Sequence, residues 1–169
     1  ARRQRQMCIR DRENVGIEVD AKGAVPVDDD NRTPCPSIYA VGDVTNRIQL
    51  TPVAIREGQA FADNLFGKGG AKVDYDCVPA ACFSHPPIAG VGMTESEARQ
   101  KLGSVRIYSS DFRPMKNVLA GRDERALYKM VCDAETDRVV GIHMIGPDCP
   151  EIIQAAAVCV KACLLYTSP

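Results

Sequence analysis

Apolar and polar positions alternate along this chain in two different rhythms. Ile38-Tyr39-Ala40-Val41 is a short β-prone apolar run that ends at Gly42-Asp43, and it predicts a buried parallel strand. After a loop, Val53, Ile55, Ala60, Phe61, Leu65 and Phe66 recur at helical spacing. Arg56, Glu57, Asp63 and Asn64 lie between them as the polar side, so an amphipathic helix is predicted over 53–66. Thr51 suits the N-cap of that helix and Pro52 its first position. Upstream, Ile17 with Val19 and Val25 with Val27 predict two short strands about the turn Ala21-Lys22-Gly23, and residues 28–36 read as a polar loop. Gly67-Lys68-Gly69-Gly70 closes the segment.

The rhythm changes beyond Asp76. Strands are predicted at Cys77–Phe83, Ile88–Met93, Val105–Tyr108, Ala126–Cys132 and Val139–Ile145. Thr94-Glu95-Ser96-Glu97 is a capping-box signature and starts a helix to Leu102. Gly146-Pro147-Asp148 breaks the chain, and residues 151–162 form a helix of apolar and small residues. The expected fold class is α/β for the first stretch, followed by a compact α+β layer.

Composition narrows the function classes. The chain has 169 residues, 45% hydrophobic and 25% charged, with a net charge of −1, and it shows no footprint for nucleic acid. No apolar run approaches the roughly 18–20 residues of a membrane span. The eight cysteines contain no Cys-x-x-Cys pair, which argues against a zinc site, so no metal is expected. With no secretory signal, a reducing cytoplasmic setting is expected. Residues 1–12 hold five arginines and no hydrophobic period. They and residues 163–169 read as non-native tails, the alternative for the first being a disordered basic arm. Residues 13–162 alone carry 16 basic and 21 acidic side chains, a net charge of −5.

Gly42-Asp43 and Thr51-Pro52 are the candidate chemistry. Gly42 lets the backbone approach a ligand at the carboxyl end of a strand, where open α/β sheets bind ligands. Asp43 is costly there unless it accepts hydrogen bonds, and ribityl hydroxyls supply suitable donors. The helix N-terminus carries about +0.5 of a charge, suited to the pyrimidine edge of a flavin. A plain strand–loop–helix with a capping Thr and a loop Asp is the alternative from pattern alone.

The run from Tyr39-Ala-Val-Gly-Asp-Val-Thr45 to Leu50-Thr-Pro-Val-Ala-Ile55 resembles the second flavin-contact segment of the pyridine nucleotide–disulfide oxidoreductases. Phe83-Ser-His-Pro-Pro-Ile-Ala-Gly-Val-Gly-Met-Thr-Glu95 and Val140-Gly-Ile-His-Met-Ile-Gly146 resemble the family's interface domain, through which it forms homodimers. The resemblance implies this organisation: residues 13–36 end a pyridine-nucleotide domain and return, 37–75 are the C-terminal segment of an FAD-binding domain, and 76–162 are a dimerisation domain. It also implies FAD and NADPH as cofactors. Gly42, Asp43, Gln49, Leu50, Thr51 and Pro52 are the expected cofactor contacts, and the backbones of Gln49 and Ala81 approach the nicotinamide. Within the family, the residues after Gly42-Asp43 together with Phe83-Ser-His-Pro-Pro87 point to the branch that reduces glutathione disulfide. The trypanothione-reducing branch is the runner-up. A non-catalytic dimerisation module is the reading of a different class.

No residue of this chain is expected to be catalytic. The pair Cys77 and Cys82 has the spacing of the family's redox disulfide, but it precedes the Phe83-Ser-His motif rather than lying on a glycine-rich approach to a helix, and it reads as structural. His85 and His143 belong to interface-domain motifs, and the His85-Pro86-Pro87 run is a candidate for a cis peptide. Gln59 stands where some relatives that reduce glutathione disulfide carry a substrate-binding arginine, and an amide is a weaker partner for a carboxylate.

Overall fold

A computed structural model describes residues 11–12, 14–163 and 165. The chain divides into two compact units, residues 1–74 and 75–169. Residues 1–10, 164 and 166–169 of the expected tails lie outside the described residues. Cys163 and Leu165, from the suspected second tail, touch Arg138: Leu165 bridges its backbone and its guanidinium donates to the Cys163 sulfur at 2.8 Å.

Among the described residues, most of the first unit is loops gathered on one long helix, with a short helical turn at residues 11–12 and 14. The expected turn forms: Asp20 Oδ1 accepts from the amides of Lys22 and Ala24. Its flanks bury Ile17, Ala24 and Val25 but form no ladder, so the two expected strands are absent. The expected strand at 38–41 shrinks to a single bridge between Arg32 and Tyr39. The reason is the same in both places: a strand needs a neighbour to take its alternate N–H and C=O groups, and these segments find only one or two partners among the described residues. The helix α1 spans Thr51–Phe66. It buries Val53, Glu57 and Ala60, while Ile55 and Phe66 stay 68% and 80% exposed. The apolar stripe is therefore narrower than expected, and Glu57 lies inside it. Asn64 closes the unit with both ends of its amide on the backbone of Ala71.

The second unit is a five-stranded antiparallel sheet in the order β1-β2-β5-β4-β3, with β1 at Ala80–Cys82, β2 at Ile88–Gly92, β3 at Val105–Phe112, β4 at Ala126–Asp133 and β5 at Val139–Ile145. Alternation along the strands divides the side chains between two faces. On one, Ala89, Val91, Cys132 and Met144 pack with Cys149, Ile153, Ala157 and Val160 of α4, which spans Cys149–Lys161. On the other, α2 (Glu95–Leu102) packs on β3 and β4. It buries Ala98, and its Glu95 pairs with Lys129, which has the strand parity of the fully buried Val131. The capping box forms as expected, with Thr94 and Glu97 exchanging side-chain and backbone bonds. The sequence pattern left out a short helix, α3 at Met115–Leu119.

Gly141 marks the tightest approach in the sheet. A Cβ there would sit 2.0 Å from the Met93 carbonyl. The His143 ring, two residues on, meets that same carbonyl at 3.0 Å. The His85-Pro86 bond is cis.

Cys77 corrects one detail of the expectation. It lies in a turn with φ 59 rather than on a strand, and β1 begins only at Ala80. Both Cys77 and Cys82 are free thiols.

Candidate flavin-contact site

The turn that carries Asp43 is fixed mainly by residues the sequence pattern did not single out. Gly42 has φ 74, a left-handed conformation that side chains disfavour, and it opens a 3-10 turn over Gly42–Thr45. Its amide donates to Glu57 Oε2 at 2.6 Å, and Glu57 is only 1% exposed. The buried Thr45 hydroxyl donates to the Gly42 carbonyl at 2.8 Å. Asn46 follows in the left-handed region, its amide donating to the Asp43 carbonyl. Arg47 reaches back to the 27–31 loop, where its guanidinium donates to Asn31 Oδ1 at 2.8 Å and to the Asp28 carbonyl. Gln49 leans on Asn46 through a side-chain bond of 2.9 Å.

The turn leaves the Asp43 side chain exposed, with no hydrogen-bond partner among the described residues. A few residues on, α1 starts in an equally open way. Its cap is Leu50, not Thr51, and no side chain caps it. Thr51 and Pro52 are the first two helical residues, both exposed, and the first turn holds no acid. The expectation that Thr51 caps the helix is corrected here. The helix begins one residue earlier than expected because Leu50 already has the extended dihedrals of a cap and its carbonyl takes the amides of Val53 and Ala54. The unneutralised end of α1 keeps its partial positive charge for something else.

Gly42, Asp43, Gln49, Leu50, Thr51 and Pro52 thus form one continuous turn and helix start. Ala81 belongs to the second unit, in the middle of β1, beside an open hollow of about 490 Å³ lined also by Cys82, Ile88, Leu127, His143 and Ile145. Gln59 is exposed on α1, with its amide donating to Asp63 at 3.0 Å. Among the described residues no group of three or more His, Cys, Asp or Glu side chains is placed to hold a metal, and no helix is long and apolar enough to cross a membrane.

Two of the residues that matter were missed. Glu57 had a visible signal, because it sits four residues after Val53 and three before Ala60, on the buried stripe itself. Arg47 had none, since its partners are 16–20 residues away in an irregular loop.

An unpaired carboxylate at the end of an extended segment, followed by an uncapped helix start, fits a cofactor that presents both hydroxyl donors and an electron-rich edge. Comparison with known proteins agrees with that class. Residues 2–58 match the pyridine nucleotide-disulphide oxidoreductase family, and residues 78–167 match its dimerisation domain. The chain belongs to this family. Over 150 residues it is 53% identical to the glutathione reductase of Burkholderia cepacia, covering 89% of this chain and 33% of that protein. The chloroplastic/mitochondrial glutathione reductase of Pisum sativum is 47% identical, with 27% of its length covered. The trypanothione reductase of Trypanosoma congolense is 44% identical, with 30% covered. Among solved structures, the HOCl-induced flavoprotein disulfide reductase RclA from Escherichia coli superposes with a TM-score of 0.82 at 30% identity, over 92% of this chain and 36% of its own. The chain spans about a third of the length of the curated relatives it matches.

Proposed function

We propose that this chain is the C-terminal part of an NADPH-dependent, FAD-containing glutathione-disulfide reductase that works as a cytoplasmic homodimer. The open Asp43 carboxylate beside the uncapped start of α1 carries the reading. Asp43 accepts from the ribityl hydroxyls of FAD. The amides at the start of α1 face its pyrimidine edge, where their partial positive charge stabilises electron density. The backbone of Gln49 lines the approach of the nicotinamide. When bound, FAD relays electron pairs from NADPH to a disulfide. The residues of this chain bind and orient, and none is assigned to thiol or proton chemistry. Free thiols at Cys35, Cys77, Cys82, Cys132, Cys149, Cys159 and Cys163 suit a reducing compartment. The 53% relative supports glutathione disulfide over the trypanothione branch.

The test is an exchange. Residues 13–162 replace the matching stretch of the Burkholderia cepacia glutathione reductase. The hybrid is expected to purify with FAD and to reduce glutathione disulfide with NADPH. A folded hybrid that holds no flavin would overturn the reading. The isolated chain 1–169 is expected to show no turnover above a no-protein control.

A further inference from the structure

We propose that Glu57 is a positioning residue for the cofactor turn: its buried carboxyl group latches the Gly42 amide and thereby aims Asp43 outward. Glu57 is among the largest fully buried side chains of the protein, on a helix face otherwise made of Val53 and Ala60. A carboxyl group so placed is costly unless its oxygens are occupied. One oxygen takes the Gly42 N–H at 2.6 Å, a bond that spans 15 residues of chain and ties the middle of α1 to the first residue of the 3-10 turn.

The location of that bond gives it its effect. Gly42 is the residue whose φ of 74 sets the direction of the chain into Asp43. Its amide is held by Glu57 and its carbonyl by the Thr45 hydroxyl, so both flanking peptide groups are fixed. Gly42 also lies tight against α1: an added Cβ would come within 2.9 Å of the Ala54 Cβ. Turn and helix are therefore locked to each other at Ala54 and at Glu57, one turn of α1 apart. Asp43 hangs from that lock with no side-chain bond of its own among the described residues. Its direction is inherited from Gly42, and that of Gly42 in large part from Glu57. This inference rests on the proposed FAD site.

Three substitutions at residue 57 separate the acceptor from its charge and bulk. In Glu57→Gln the amide oxygen has the same reach and accepts from Gly42. In Glu57→Asp the carboxylate is kept but withdrawn by one methylene. In Glu57→Leu the volume is kept and the acceptor lost. The protein used is the flavin-loaded hybrid reductase, stripped of FAD and titrated with it at a temperature where each variant is folded. The readouts are the dissociation constant from flavin fluorescence and the absorption spectrum of the bound flavin. Glu57→Gln is expected to bind within about twofold of the parent. Glu57→Asp and Glu57→Leu are each expected to bind about tenfold more weakly, as loss of one well-placed bond implies. If Glu57→Leu does not fold, Glu57→Asp carries the comparison. Asp43→Ala is combined with Glu57→Asp. Because Glu57 acts through Asp43, the double variant is expected to bind no more weakly than Asp43→Ala alone.

Additive losses would mean that Glu57 stabilises the fold without aiming Asp43, and would overturn the inference. So would parental affinity in Glu57→Asp, or a tenfold loss in Glu57→Gln. Parental affinity in Asp43→Ala has a different meaning, because it removes the FAD site itself and not only the role of Glu57.

Discussion

Val158 and Ala156 lie two residues apart on α4, and a glutamate at each is expected to do opposite things. The sequence shows this helix apolar around most of its circumference, which requires cover on every side. The sheet covers one side: Cys149, Ile153, Ala157 and Val160 are buried against it, and Ala156 packs at the edge of that core. On the other side Val158 stays 63% exposed. If a second copy covers that outer face about a two-fold axis, Val158 contributes twice. Fully burying a valine is worth roughly 1.5–3 kcal/mol. The exposed share leaves about 1–2 kcal/mol per copy, or about 2–4 per dimer. Val158→Glu removes that and adds a desolvated charge, so the dimer should weaken by at least ~30-fold and up to ~1,000-fold. The chain carrying it should melt like the parent, because the glutamate projects into water in a single copy. Ala156→Glu should instead cost the monomer ~1–3 kcal/mol for polar burial, or about 4–8 °C of melting temperature per kcal/mol. Sedimentation equilibrium of the hybrid reductase gives the first quantity and thermal melting of chain 1–169 the second. Parental association in Val158→Glu would show that the outer face of α4 is not the contact. Equal melting losses in both variants would show that the two faces are wrongly assigned.

Four further outcomes follow from the same geometry. Thr94→Ala removes one half of the capping box and should cost ~1 kcal/mol, seen as a melting decrease of about 4–8 °C. Gly141→Ala would place a Cβ against the Met93 carbonyl and should destabilise the chain far more than Gly58→Ala, where the space is open and the backbone is helical, as urea unfolding would report. Burial pushes the Cys132 and Cys149 thiols up, so both should resist iodoacetamide at pH 8 while the exposed Cys82 and Cys159 react, by mass spectrometry of the modified chain. Glu97 is held below the ordinary carboxylate range by the Thr94 amide, Glu95 by the Lys129 ammonium and then Arg99, and Asp133 by the Thr136 hydroxyl. A lowered folded value gives stability that is present above the unfolded value and lost below it, so melting temperature should fall as pH drops through about 4, and a flat profile there would contradict these pairings.

The second unit was largely legible in the sequence because its order is local. The strand at Val139–Ile145 and the capped start of α2 follow from period-2 alternation and one four-residue signature. β3 runs to Phe112, four residues beyond its expected end, because β4 supplies partners as far as Ala126, and pairing overrides the polar Ser109-Ser110-Asp111 run. The first unit was less legible for the converse reason. Ile17, Val25 and Ile38 to Val41 have strand character, yet a strand exists only where a neighbour lies alongside, and no local pattern says which segment that is.

The same distinction separates the two halves of the site. Asp43, Thr51 and Pro52 could be singled out because each stands out beside its own chain neighbours, at the end of an extended segment and at a helix start. Glu57 and Arg47 act across 15 to 20 residues, and long-range bonds leave a trace only when they break a local rule. Glu57 breaks one, as a carboxyl group at i+4 of Val53 and i−3 of Ala60 on a stripe that should be apolar, whereas Arg47 breaks none. A charged residue in the wrong place on a helix is therefore a pointer to a distant backbone group that needs it. Here the group is the amide of Gly42, immediately before the carboxylate on which cofactor binding is proposed to depend.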